Sequence, residues 1–189
     1  TSLNVSDVYA VRAIYDSGNT SNDAIPPKLI LTGATGTYIA GETITNAGGT
    51  ATGTIISHSP LTNISYVATS GTFAATDIIT GSANSYTATV ATYTVGDTDI
   101  TSRYTLDNGQ RDNFYDHGRI KLTGTAATGR ILAVVDYFTH SGNGYFSVDS
   151  YTSSGLTDSY VDIPSYTSTT TNETVELRDC VDFRPRRQD

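Results

Sequence analysis

Three observations predict an all-β fold: a composition led by Thr, Ser, Gly and Tyr, a gapless internal repeat of short strands, and no sustained helical periodicity. The 189 residues include 33 Thr, 19 Ser, 17 Gly and 13 Tyr, against 37% hydrophobic and only 16% charged residues. Thr and Tyr suit pleated, half-buried surfaces, and a chain of this length buries a core without disulfides. Cys180 is the single cysteine, which excludes an internal disulfide and a Cys-based zinc site. A net charge of −8 argues against a nucleic-acid partner, because phosphate contacts need clustered Lys and Arg. No apolar run reaches the roughly 18 residues of a membrane-spanning helix, and no signal peptide is visible, so no membrane insertion is expected. A start at Thr1 with no Met marks a processed product, a fragment or a chain whose first residues are missing.

Taken in order, the first expected strand runs over residues 5–15, with Tyr9, Val11, Ala13 and Tyr15 alternating on one face. Residues 16–19 close it, and a polar loop through Pro26 and Pro27 leads to a strand over 28–31. Residues 36–55 then align on 71–90 at an offset of 35, with seven identities, among them Gly36/Gly71, Ile44/Ile79, Thr45/Thr80 and Thr54/Thr89. Tyr38/Phe73, Glu42/Asp77 and Ile55/Val90 are conservative pairs, which makes chance similarity of Thr-rich segments the weaker explanation. Each copy reads as a hairpin around a glycine turn, and isolated hairpins are marginal, so the copies must pack on each other or on the rest of the chain. Extended segments follow at 91–95, 100–106, 119–122, 130–138, 144–151, 159–163 and 174–183, separated by turn residues. Residues 108–115 have room for a turn or two of helix. The predicted organisation is a short-stranded sandwich- or barrel-like body, residues 1–27 plus 94–189. Into it residues 28–93 insert two tandem copies of a small β-hairpin module, 36–55 and 71–90.

The densest polar cluster is Arg103, Asp107, Arg111, Asp112, Asp116, His117 and Arg119. Asp112, Asp116 and His117 have the chemistry of metal ligands or of an acid/base set. Neighbours around one turn rarely converge on a metal, so paired Asp and Arg locking a long connection is the favoured reading. His140, with Ser141 and Asp136 or Asp149, lacks the nucleophile elbow of a hydrolase, and His58, beside Pro60 in a loop, has no partner in view. The glycine pairs 33/36 and 124/129 lack the Lys-Ser/Thr ending of a phosphate loop. Sequons at Asn4, Asn19, Asn63 and Asn172 arise readily by chance in such a chain and matter only in a glycosylating host. No catalytic, metal-binding or cofactor-binding set emerges, and the chain reads as a non-enzyme.

Charge is unevenly placed. Residues 1–177 carry 7 basic and 16 acidic side chains, whereas the tail from 178 carries four Arg against three Asp. A basic end on an acidic body suits docking on a second copy of the chain, where opposite charge assists encounter and register. The expected assembly residues are therefore apolar positions in the two terminal strands, Leu3, Val5 and Val8, and Val175, Leu177, Val181 and Phe183. The basic Arg178, Arg184, Arg186 and Arg187 join them.

Residues 3–9 with 14–17, residues 136–140, 146–151 and 177–185, and above all residues 100–116 resemble a module of large virion structural proteins. These are tail, baseplate and fibre proteins of T4-like phages of cyanobacteria. The duplicated unit is similar to the G-x-F-x-x-G-E-x-I-T-G type of repeat in phage tail and fibre proteins. The resemblance covers essentially the whole chain and implies a structural role, with no catalytic residue to carry over. In such proteins the module is one part of a longer chain, whereas here it stands alone, which suggests a protomer that repeats by assembly or a fragment of something larger.

The expected function is thus a structural protomer of an extracellular or virion filament, joining copies of itself head-to-tail through terminal strands, with other virion proteins or host-surface glycan as further partners. The alternative is an adhesin module that stacks glycan on Tyr-rich loops, with Tyr66, Tyr86 and Tyr93 on one exposed face. A polysaccharide depolymerase ranks last, because no carboxylate pair is identifiable.

Overall fold

A computed structural model describes residues 1–109, 116–138, 165–167 and 172–176. The fold is all-β, with a closed six-stranded barrel and additional small sheets. The chain divides into two compact units. The terminal unit draws on Thr1–Val11, Tyr104–Gly124 and Val135–Asp189; the barrel unit is Arg12–Arg103 with Thr125–Val134. The barrel unit thus takes in residues that the sequence reading assigns to the body.

The repeat itself closes the barrel. Its strands are β2 (Lys28–Thr32), β3 (Thr43–Asn46), β4 (Thr52–Ser59), β5 (Asn63–Ser70), β6 (Ile78–Gly81) and β7 (Thr87–Thr94), in the circular order β2-β5-β4-β3-β6-β7. The offset of 35 carries Lys28 to Asn63, Thr43 to Ile78 and Thr52 to Thr87, the first residues of corresponding strands. The repeated unit is therefore three strands long, 28–59 and 63–94, and larger than the expected hairpin.

Pairing obeys a two-fold pseudo-symmetry. Leu29 faces Ile64 and Thr45 faces Thr80, so each of these residues meets its own copy. Around them Lys28↔Ser65 corresponds to Ile30↔Asn63, and Ile44↔Gly81 to Asn46↔Ile79. One irregularity also repeats: Ile56 is skipped between Ile55↔Tyr66 and Ser57↔Ser65, and Ala91 between Leu31↔Val90 and Ile30↔Thr92. Such bulges tighten strand twist, as a narrow closed sheet requires. Closure removes every edge from the barrel.

The barrel interior alternates inward along each strand. Leu29 and Ile64, Leu31 and Tyr66, Tyr38 and Phe73, Ile44 and Ile79, and Ile55 and Val90 are all buried in one cluster. Each such side chain contributes about 1.5–3 kcal/mol when fully buried. Tyr66 meets Phe73 edge-on at 5.3 Å, a favoured aromatic geometry.

Where the halves differ, the differences compensate. A Cβ on Gly53 would lie 2.5 Å from the Tyr66 ring, whereas the other half carries the larger Ala88 with the smaller Leu31. Likewise a Cβ on Gly81 would meet Glu42 Oε2 at 2.6 Å; the copy has Asn46, whose amide donates to the shorter Asp77 at 3.3 Å. The recurring acid closes a turn in both halves. Ile39 N–H donates to Glu42 Oε1 at 2.6 Å and Ala74 N–H to Asp77 Oδ2 at 3.0 Å.

A second sheet has the order β11-β1-β8, from β1 (Val8–Asp16), β8 (Thr98–Asp99) and β11 (Ile131–Tyr137); β1 and β11 each contribute residues to both units. The expected alternation of β1 fails: Tyr9 is exposed, while Ala13, Ile14, Tyr15 and Asp16 are all buried. The strand starts three residues later than expected, because Asn4 and Asp7 take left-handed backbone conformations, φ 57° in both. The expected strand over 100–106 is also interrupted. Asp99 Oδ1 accepts from Thr101 N–H at 2.8 Å, starting a 3-10 turn over Thr101–Arg103 before β9 (Tyr104–Asp107). The expected strands at 144–151 and 159–163, and residues 110–115 of the expected helical turn, lie outside the described residues.

Candidate assembly surface

In the terminal unit, β9 pairs with β10 (Arg119–Leu122) from Asp107↔Arg119 to Tyr104↔Leu122. The other edge of β10 is taken by the first residues of the chain. Thr1 N–H donates to Ile120 O and Ile120 N–H to Thr1 O, both at 3.0 Å; Ser2 pairs with Arg119; Leu3 N–H donates to Gly118 O at 2.8 Å. Gly118 N–H then reaches past Asn4 to Val5 O at 2.8 Å. Gly118 is required here, since a Cβ would lie 2.8 Å from the Val8 side chain.

Of the expected assembly residues, Leu3 and Val5 lie in this added strand and are half-buried. Val8 is 2% exposed, a core position, so it is not free to contact another copy. Val175 lies in β13 (Thr174–Glu176), paired antiparallel with β12 (Ser165–Thr167), a strand the sequence reading missed. Leu177, Arg178, Val181, Phe183, Arg184, Arg186 and Arg187 lie outside the described residues.

The polar cluster is partly visible. Asp116 is buried; its carboxylate accepts from its neighbour's His117 N–H at 2.8 Å and from the Arg119 guanidinium. Asp107 pairs with Lys121 at 3.0 Å and accepts from Gly109 N–H at 3.2 Å, and Asp116 N–H donates to Gly109 O at 2.9 Å. These bonds hold the two ends of the 107–119 connection on β9 and β10, a structural use of the acids. Arg103 belongs to the barrel unit, and Arg111 and Asp112 lie outside the described residues.

His58 is in β4, not in a loop, facing Ile64 across the ladder, with its Nδ1 buried and without a hydrogen-bond partner. His140, Ser141 and Asp149 lie outside the described residues. The three tyrosines of the stacking surface are not on one exposed face. Tyr66 is in the barrel core, Tyr86 packs partly buried against that core, and only Tyr93 is exposed.

Asp16 is held by several hydrogen bonds. Backbone N–H groups of Thr128, Gly18 and Gly129 at 2.8–3.0 Å, with the Thr128 hydroxyl, hold its carboxyl below the usual aspartate value. It clamps the 128–129 turn to the end of β1. Burial pushes the Tyr15 and Tyr38 phenols up to about 12, with Asp99 and Glu42 adding to the effect, and raises Tyr66 as well.

Comparison with family models, curated proteins and solved structures returned no match.

Proposed function

We propose that this chain is a structural protomer of an extracellular or virion filament of the phage-tail type, joining copies of itself head-to-tail through terminal strands. The reading is carried by one observation, the main-chain pairing of residues 1–5 with β10. An extended terminal segment adds to a sheet edge through backbone bonds, which is the chemistry of β-strand addition between subunits. The closed barrel offers no edge, so strand addition is confined to the other sheets. An acidic body with four arginines after residue 177 favours encounter between unlike ends of two copies.

Electron microscopy of the purified chain at rising concentration tests this. Regular filaments with a subunit repeat are expected; dispersed monomers at every concentration would contradict it. Deletion analysis should stop at Val5, because removing Val8 takes a buried side chain from the fold and would confuse loss of assembly with loss of folding.

A further inference from the structure

We infer that residues 1–5 are an exchangeable strand: the segment that covers β10 of its own chain covers β10 of the next copy in the assembled state. The inference rests on the filament reading above and specifies the contact that makes the filament.

The segment is attached in a way that permits exchange. Thr1, Leu3 and Val5 bond residues 118–120 through main-chain groups, which any copy of the same backbone can supply. Its apolar side chains, Leu3 and Val5, are only half-buried, so release exposes little hydrophobic surface. The apolar anchor comes later, at Val8, which like Ser6 is 2% exposed. Between strand and Val8 lie two linking residues, Ser6 and Asp7; the Asp7 carbonyl accepts from Phe138 N–H at 3.3 Å. Asn4 and Asp7 hold φ 57°, a conformation that Asn and Asp tolerate, whereas the Ser6 hydroxyl is buried without a hydrogen-bond partner, a cost carried by the closed form. A short linker whose closed form carries such a cost promotes exchange of the element it tethers between copies.

Exchange remakes the same bonds in trans, so its free-energy balance is set by the linker and by the new contact between copies. Each chain gives one strand and receives one, a heterologous contact that grows an open fibre unless it closes into a ring. Two linking residues span at most about 7 Å, so the donor's Val8 must lie close to the acceptor's β10 edge.

A disulfide across the exchanging pair tests this. Thr1 and Ile120 exchange both backbone bonds, which makes Ser2 and Arg119 a non-hydrogen-bonded pair, with Cα atoms about 4.5 Å apart and within disulfide range. The variant is Ser2→Cys with Arg119→Cys, in a Cys180→Ser background. Oxidised as dilute monomer, it should need at least about tenfold more protein to polymerise than when reduced. Filaments grown reduced and then oxidised should run as a covalent ladder on non-reducing gels. A synthetic peptide of residues 1–7, added to the native chain, should cap growth and shorten filaments where a scrambled peptide does not. Filaments whose oxidised subunits are linked only within themselves, together with full-length growth in the presence of the peptide, would overturn exchange and leave self-assembly standing. A native chain that never polymerises would remove the filament reading and this inference with it.

Discussion

The barrel unit and the terminal unit solve the edge problem of a small sheet in opposite ways. In the barrel, two copies of a three-stranded element pair around a two-fold pseudo-axis, and each strand finds both neighbours within the ring. Its six strands carry a single Lys or Asp/Glu residue, Lys28, and its packing rests on interleaved aliphatic and aromatic side chains. In the terminal unit, a two-stranded ribbon is extended by a segment from the far end of the chain, and ion pairs such as Lys121–Asp107 and Arg119–Asp116 hold its connection. Duplication closes a sheet permanently. A borrowed strand closes it only as long as the strand stays, and that difference is the physical basis of the proposal that the added strand, and not the barrel, joins copies.

The largest expected effect breaks the barrel. Leu29→Ala or Ile64→Ala, at the pseudo-axis, should cost about 2–5 kcal/mol in urea unfolding, since both are fully buried. Leu3→Ala in the half-buried added strand should cost under about 1 kcal/mol. Equal costs would erase the contrast between the units.

Compensation between the halves is the next test. Gly53→Ala drives a methyl to about 2.5 Å from the Tyr66 ring and should cost about 1–3 kcal/mol. Adding Tyr66→Leu recreates the Ala88/Leu31 arrangement of the other half and should recover part of that loss, a coupling of about 0.5–3 kcal/mol in a double-mutant cycle. Strict additivity would mean that the two halves do not share one packing solution.

The smaller effects concern pH. Tyr15 and Tyr38 titrate at about 12 in the fold, and Tyr66 is raised too, while unfolded phenols titrate near 10. Above pH 10 the unfolded chain releases protons that the folded chain keeps, so stability is full below 10 and falls as pH rises towards 12. Tyr38→Phe, the residue found at position 73, should soften that fall in an alkaline unfolding titration; an unchanged slope would count against burial as its cause. Asp16 works at the other end. Its lowered value means that its contribution is full above the ordinary aspartate value and fades as pH drops through the folded one. Asp16→Asn should flatten the acid limb of the stability curve while leaving the alkaline limb intact.

The repeat was legible because inward positions survive duplication: the aligned pairs Tyr38/Phe73, Ile44/Ile79 and Ile55/Val90 all lie in the barrel core. The strand over 28–31 was read from its pattern but not as part of the repeat, and its counterpart β5 was missed, since Leu29-Ile30-Leu31 and Ile64-Ser65-Tyr66 share an inward pattern without a single identity. Closure depends on pairings such as Leu29↔Ile64 and Thr45↔Thr80, and local periodicity carries no record of partners 35 residues away. At the candidate assembly surface, Leu3 and Val5 read as strand residues from their pattern. Their partner Gly118, well over a hundred residues further along the chain, left no local signal beyond being a glycine. Val8 was misplaced for the same reason: an apolar residue in a terminal strand looks the same whether it faces its own core or a neighbour.

The central claim is that the added strand, and not the barrel, joins one copy to the next. Its most direct test compares the intact chain with one lacking residues 1–5, by electron microscopy and sedimentation at matched concentrations. The truncated chain is expected to keep the barrel's unfolding transition and form no filaments. Filaments of unchanged length and yield from the truncated chain would contradict the account.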